Sequence, residues 1–222
     1  MNARIINTIR KFVRSRGFDV VHYCPLHPYL HKVDLVLDVG ANLGQTYDFF
    51  REAGYRGKIV SFEPNPQVFG QLQQKPGFDW EKQQLALSSN AGEVEFFVTS
   101  DSGYSGLHPH LSKPALEKIK VRTQRLDQIW KWDARSVFLK IDTEGHDLEV
   151  VKGATGVLDR IKYIMVETAL IARYEREPIL NEVVTSLAEF GFHVCKIQTV
   201  YTEPDGSGDK AMDLVFCRSQ AI

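Results

Sequence analysis

The chain has 222 residues, 43% hydrophobic and 25% charged, enough apolar material for one well-buried domain without staples. Its 27 basic and 28 acidic side chains leave a net charge of −1. That balance argues against a protein built to grip phosphate backbones or anionic membranes, and so against nucleic acid as a partner.

Along the chain, Ile5, Ile6, Ile9, Phe12 and Val13 recur as one helix face among Arg4, Arg10, Lys11, Arg14 and Arg16. Residues 1–32 are therefore expected to form a helical extension packed on a domain spanning 33–222. Val33–Val39 is a nearly continuous aliphatic run, as in a strand buried on both faces. A helix is expected from about Gly44 to Ala53, a second strand over Lys58–Glu63, and a helix from about Asn65 to Gln74. Alternation of this kind demands a parallel sheet. The second half repeats it with strands at Val137–Asp142 and Tyr163–Glu167, a helix over Asp147–Lys152, and a longer helix through Leu180, Leu187 and Phe190. Phe192–Ile197 and Met212–Cys217 flank a loop of Gly, Pro and Asp with no room for a helix, so they are expected to pair antiparallel at the sheet edge. The irregular stretch Thr99–Pro114 is expected to be a lid, with Tyr104, Leu107 and His108 reaching an acceptor.

Three cysteines, Cys24, Cys195 and Cys217, make no CxxC pair and no zinc spacing, which points to reduced thiols. No apolar run approaches the roughly 18 residues of a membrane span. The polar start Met1–Asn7 lacks signal-peptide character, so the expected location is the cytoplasm. Composition leaves a homo-oligomer open.

The first strand runs into Asp38-Val39-Gly40-Ala41-Asn42-Leu43-Gly44-Gln45-Thr46. Gly40 turns the chain and gives a ligand bare backbone; Gly44 permits a tight start to the helix. Glu63 follows Asp38 by twenty-five positions, where a carboxylate can accept both hydroxyls of a ribose. The glycines are spaced G-x-x-x-G, with Asn42 where a dinucleotide turn has its second glycine, and no G-K-[ST] follows. Adenosine without a pyrophosphate fits best, which points to S-adenosyl-L-methionine. Asp38 would then take its ammonium, and the turn amides with Thr46 its carboxylate. Two alternatives stand: an NAD-dependent oxidoreductase, and a non-catalytic cofactor-binding module of the same fold.

The stretches VLDVGANLGQT, IVSFEPNP, LALSSNAGEVEFF and FLKIDTEGHDLEVVKGA resemble the FkbM family of methyltransferases. The resemblance implies the class I methyltransferase fold: an α/β, Rossmann-like, mostly parallel seven-stranded sheet with a C-terminal antiparallel hairpin and helices on both faces. It implies S-adenosyl-L-methionine as donor and O-methylation of a small molecule or sugar. It puts Asp38, Gly40, Ala41, Asn42, Gly44 and Thr46 around the methionine end, Glu63 on the ribose, and Pro64 and Asn65 beside the adenine. Ala86, Leu87 and Ser88 match the place where the adenine rests.

At the fourth parallel strand, Lys140 and Asp142 are two apart and lean to one side. A lysine in an apolar strand needs a partner; Glu167, Asp142 or both are expected. Asp142 or Glu144 is expected to act as base or to orient the acceptor, with Lys140 holding the arrangement. His146 and Glu167 complete the acceptor contacts. Asp142, Glu144, His146 and Asp147 have the chemistry of metal ligands, as do His108 and His110, but acids ahead of a helix favour its N-terminus unaided. No metal is expected.

Overall fold

Strand order brings the two halves of the chain together within the interior of one sheet. The computed structural model describes residues 26–201 and 211–218, so the helix expected around residues 5–13 lies outside the described residues. The main sheet contains β1 (Leu35–Val39), β2 (Lys58–Phe62), β3 (Trp80–Gln83), β7 (Val137–Ile141), β8 (Ile161–Ala169), β9 (Phe192–Tyr201) and β10 (Ala211–Arg218). Their order is β3-β2-β1-β7-β8-β10-β9. The first five pair in parallel; β10 lies antiparallel to both β8 and β9. This is the expected mostly parallel seven-stranded sheet ending in a hairpin.

Period-two alternation divides the core. Leu35, Leu37 and Val39 face one side with Phe62, Leu139, Ile141 and Val166. Val36 faces the other with Ile59, Phe138, Met165 and Val215. That second face is covered by α2 (Gln45–Glu52), through the buried Tyr47 and Phe50, and by Leu26 and Leu30 beside the short α1 (His27–Leu30). Each such fully buried side chain contributes about 1.5–3 kcal/mol. The same alternation turns Asp38 and Lys140 to the α2 face, near the strand tips. The helix after β2, α3 (Pro66–Gln74), starts on Asn65, whose Oδ1 accepts the Gln67 N–H at 3.0 Å, with proline at the first helical position.

One element was not expected. A second, three-stranded sheet has the order β4-β6-β5, from β4 (Ala86–Leu87), β5 (Gly92–Val98) and β6 (Glu117–Gln124). Ala86 and Leu87 therefore belong to this sheet, while the third strand of the main one is the polar Trp80–Gln83. Neither assignment follows from hydrophobic pattern: Trp80–Gln83 is only half-buried, and most of β5 is exposed. The remaining helices are α4 (Leu126–Ile129), α5 (Asp147–Lys152) and α6 (Leu180–Glu189).

Candidate active site at the strand tips

The chain leaves β1 toward β2 on one side and returns to its other side as β7. At such a switch point the connecting loops diverge and open a crevice beyond the strand ends. A cavity of about 190 Å³ lies there. Ligand pockets usually hold about 300–1,000 Å³, and this one is kept below that range under a roof. That roof is the 99–114 segment, which contributes Ser102, Gly103, Ser105, Gly106 and Leu107 to the lining. It is tied down by the Ser102 hydroxyl donating to Asn42 Oδ1 at 2.9 Å and by the Leu111 N–H donating to the Arg173 carbonyl at 2.7 Å.

At the near end Glu63 is 6% exposed. Its Oε2 accepts the Asn42 N–H at 2.9 Å and its Oε1 the Asn65 N–H at 2.8 Å. Burial pushes its pKa up to about 7 despite both bonds. Its remaining lone pairs can accept a pair of hydroxyls. Pro64 and Asn65 lie beside it, and Val68, Leu85, Ala86 and Leu87 supply an apolar wall.

The glycine turn does more packing than sequence reading assigned to it. Gly40 lines the cavity at φ +80, yet a Cβ there would sit 1.7 Å from the Asp142 carbonyl oxygen. Gly44 is bare because a Cβ would meet the Trp80 ring at 2.7 Å, and it does not line the cavity. Nor do Ala41, which is 1% exposed, or Asp38, which is fully buried. Asp38 Oδ2 accepts the Ser61 hydroxyl at 2.9 Å, Lys140 Nζ stands 3.8 Å from Oδ1, and Thr46 also bonds this carboxylate. Asp38 thus takes part in a buried brace between β1, β2 and β7, and its Oδ1 has no hydrogen-bond partner. Alternation along β1 points Asp38 under α2 rather than out of the strand tip.

The far end gathers Asp142, Glu144, His146 and Glu167 on the cavity wall. Lys140 bonds Asp142 Oδ2 at 2.8 Å. Burial opposes its charge, but Asp142 and then Asp38 outweigh burial and hold its pKa above the ordinary lysine value. It remains a cation and positions Asp142. Of its two expected partners, Asp142 pairs with it and Glu167 does not, because the β7–β8 register sets Lys140 opposite Met165. Glu167 instead receives Arg173 Nη1 at 2.6 Å. Arg173, which sequence reading missed, also reaches Glu177 Oε1 at 2.9 Å and stands 3.9 Å from Glu144 Oε2. The available signal was the Arg173/Glu177 spacing of four in a charged run.

Glu144 has φ +53, in the left-handed region. Burial first, then Asp142 and Glu167, push its carboxyl well above the usual range. Glu167 is pushed up to about 7, by burial and then by Asp142. His146 links Ser88 Oγ at 2.9 Å through Nε2 to His108 Nε2 at 3.1 Å through Nδ1. Burial drops His146 to about 4 and lowers His108 as well, so both imidazoles are neutral near pH 7. Ser88 and His108 do not line the cavity; Ser88 bonds His146 from one side, and His108 of the roof segment bonds it from the other. Tyr104 is also absent from the lining, its ring lying 3.2 Å from Lys113 Nζ and edge-on to His110. Leu107 does line it. Among the described residues no three His, Cys, Asp or Glu side chains are arranged to hold a metal ion. No helix among them is long and apolar enough to cross a membrane.

The chain is similar to several known proteins. The hexuronic acid methyltransferase AglP of Haloferax volcanii is 29% identical over 138 residues, covering 60% of this chain and 55% of that protein. The chain thus spans about half the length of this curated relative. Two solved structures share the fold at a TM-score of 0.50. TehB from Haemophilus influenzae is 10% identical, over 94% of this chain and 66% of that one. A proposed S-adenosylmethionine dependent methyltransferase from Listeria monocytogenes is 9% identical, over 88% of this chain and 98% of that one. The methyltransferase FkbM domain matches residues 38–194, from the Asp38 brace to the hairpin, and with it nearly every segment that builds the cavity. The chain belongs to the FkbM methyltransferase domain family, whose methyl donor is S-adenosylmethionine.

Proposed function

We propose that the cavity binds S-adenosylmethionine and that the chain methylates a hydroxyl oxygen of a small molecule or sugar. The observation that carries this is the cavity's donor set. A buried carboxylate, Glu63, is aimed where ribose hydroxyls would lie, and no lysine or arginine among the described residues lines the wall. A dinucleotide would bring a pyrophosphate to that wall, where Asp142, Glu144 and Glu167 would repel it. A cofactor with adenosine, no phosphate and a cationic sulfur fits the same groups. Glu63 would hold the ribose, and Leu85, Ala86 and Leu87 would flank the adenine.

When bound, the cofactor supplies an electrophilic methyl group on a positively charged sulfur. The chain's own residues have three tasks. Asp142 or Glu144 removes the acceptor hydroxyl proton, since a neutral hydroxyl is a poor nucleophile. Lys140, which keeps its own proton, fixes Asp142 and takes no proton itself. The roof segment excludes water from the acceptor. A sugar acceptor is suggested by the relative whose name specifies a hexuronic acid.

Calorimetric titration with S-adenosylhomocysteine and, separately, NAD tests the cofactor. Binding of the first alone is expected; binding of NAD alone would overturn the reading. A screen of sugars and hydroxylated small molecules then tests turnover. Homocysteine-product binding with no methylated acceptor would leave a non-catalytic binding module.

A further inference from the structure

Resting on that cofactor reading, we infer that the acceptor end selects an uncharged hydroxyl-bearing ligand, such as a neutral glycoside, and rejects one that carries a carboxylate. Three carboxylates, Asp142, Glu144 and Glu167, line this end. The two cations behind them are already engaged: Lys140 with Asp142 and Asp38, Arg173 with Glu167 and Glu177. Neither lines the cavity. A ligand carboxylate would therefore meet three acidic side chains with no cation free to receive it.

Glu144 supplies an independent observation. Its Oε2 is buried and has no hydrogen-bond partner, with Arg173 Nη2 no nearer than 3.9 Å. A buried acceptor left unmade is costly; the Tyr174 hydroxyl stands beside this carboxyl without completing a bond to Oε2, so a ligand hydroxyl can supply the donor it lacks. A hydroxyl can provide one, and could equally accept if Glu144 held a proton. An ionised carboxylate can only accept. Burial and the neighbouring carboxylates already push Glu144 and Glu167 upward, so the wall resists even its own charge. This separates the chain from its hexuronic acid relative, where the sugar named is itself an acid.

The test uses protein saturated with S-adenosylhomocysteine and pairs of methyl hexosides and methyl hexuronides, in the gluco, galacto and manno series, that differ only at C6. Binding is followed by saturation-transfer NMR with competition titration. The neutral member of at least one pair is expected to bind at least tenfold more tightly than its uronide. Glu167→Gln, which removes a charge and frees Arg173 Nη1, is expected to narrow that ratio at least threefold. Glu144→Gln, which leaves the Arg173–Glu167 pair intact, serves if the first variant melts early, with the same narrowing expected. Uronides binding as tightly as their partners, or no hexoside binding at all, overturns the inference. Failure of S-adenosylhomocysteine itself to bind overturns the cofactor reading instead, so the two failures are separate.

Discussion

Around Glu63 the cavity is made by the turns after β1 and β2 with an apolar wall from α3 and residues 85–87, whereas around Glu144 it is made by side chains from the loop after β7, from β8 and from the roof. At the Glu63 end one carboxylate is held by two N–H groups from the turns after β1 and β2. Removing its side chain should leave those turns standing. At the Glu144 end Asp142, Glu144, Glu167 and Glu177 share Lys140 and Arg173. Removing either cation there would leave more than one carboxylate unmatched. The difference is between a site that positions by geometry and one that positions by mutual electrostatic constraint. Substitutions should therefore separate binding from chemistry at the first end and entangle stability with chemistry at the second.

The sharpest break in that contrast is Asp142→Asn. Loss of a positioned base should cut turnover by about 10²–10⁴ while S-adenosylhomocysteine affinity stays within twofold. Full activity in initial-rate assays would reduce the segment to scaffold. Arg173→Ala comes next. Deleting one partner of a buried ion pair costs roughly 3–5 kcal/mol, so urea denaturation should show a large loss of stability; an unchanged midpoint would mean the acidic wall needs no counter-ion.

Glu63→Ala should behave oppositely, weakening S-adenosylhomocysteine binding by about 2–3 kcal/mol, the scale of hydrogen bonds to a charged group, with little change in melting. Unchanged affinity by calorimetry would remove Glu63 from the ribose. The same group predicts a pH dependence. Its pKa is about 7 in the folded chain against an ordinary 4.5. Between those values the folded state holds a proton that the unfolded chain has lost, so this group's contribution to stability falls as pH rises and levels off above 7. Ribose hydroxyls need the carboxylate, so affinity should rise with pH up to about 7 and then level off. Glu63→Gln should flatten that profile. The smallest effect belongs to a surface pair, Lys120 with Glu93 at 3.3 Å on the second sheet. Both side chains are exposed, so Lys120→Ala should shift stability by under about 1 kcal/mol. A larger shift would show that the second sheet braces the roof electrostatically.

Buried hydrophobic runs, the hairpin at the C-terminus, the turn after β1 and Glu63 were all legible from residue order. Continuous aliphatic strands separated by helices admit few arrangements, and an acid at the end of β2 follows from counting residues. The second sheet was not legible, because β5 is mostly exposed and β6 alternates charge with apolar residues so that neither reads as core. Nor was the true setting of Asp38 and Arg173, whereas Asp142 was one of the two partners expected for Lys140. Sequence identified Asp38 and Lys140 on their strands, but strand register set Asp38 opposite Lys140 and set Lys140 away from Glu167. Arg173 lies in an irregular loop with no period to read, and only the folded chain brings it onto Glu167. The sequence by itself thus determined the order of the buried strands and helices of the main sheet and the place of one acid at the tip of β2, because those depend on local periodicity and spacing. Tertiary structure alone decided which charges meet, because pairing depends on register and loop path, and a buried charge accepts whichever partner the fold puts within reach.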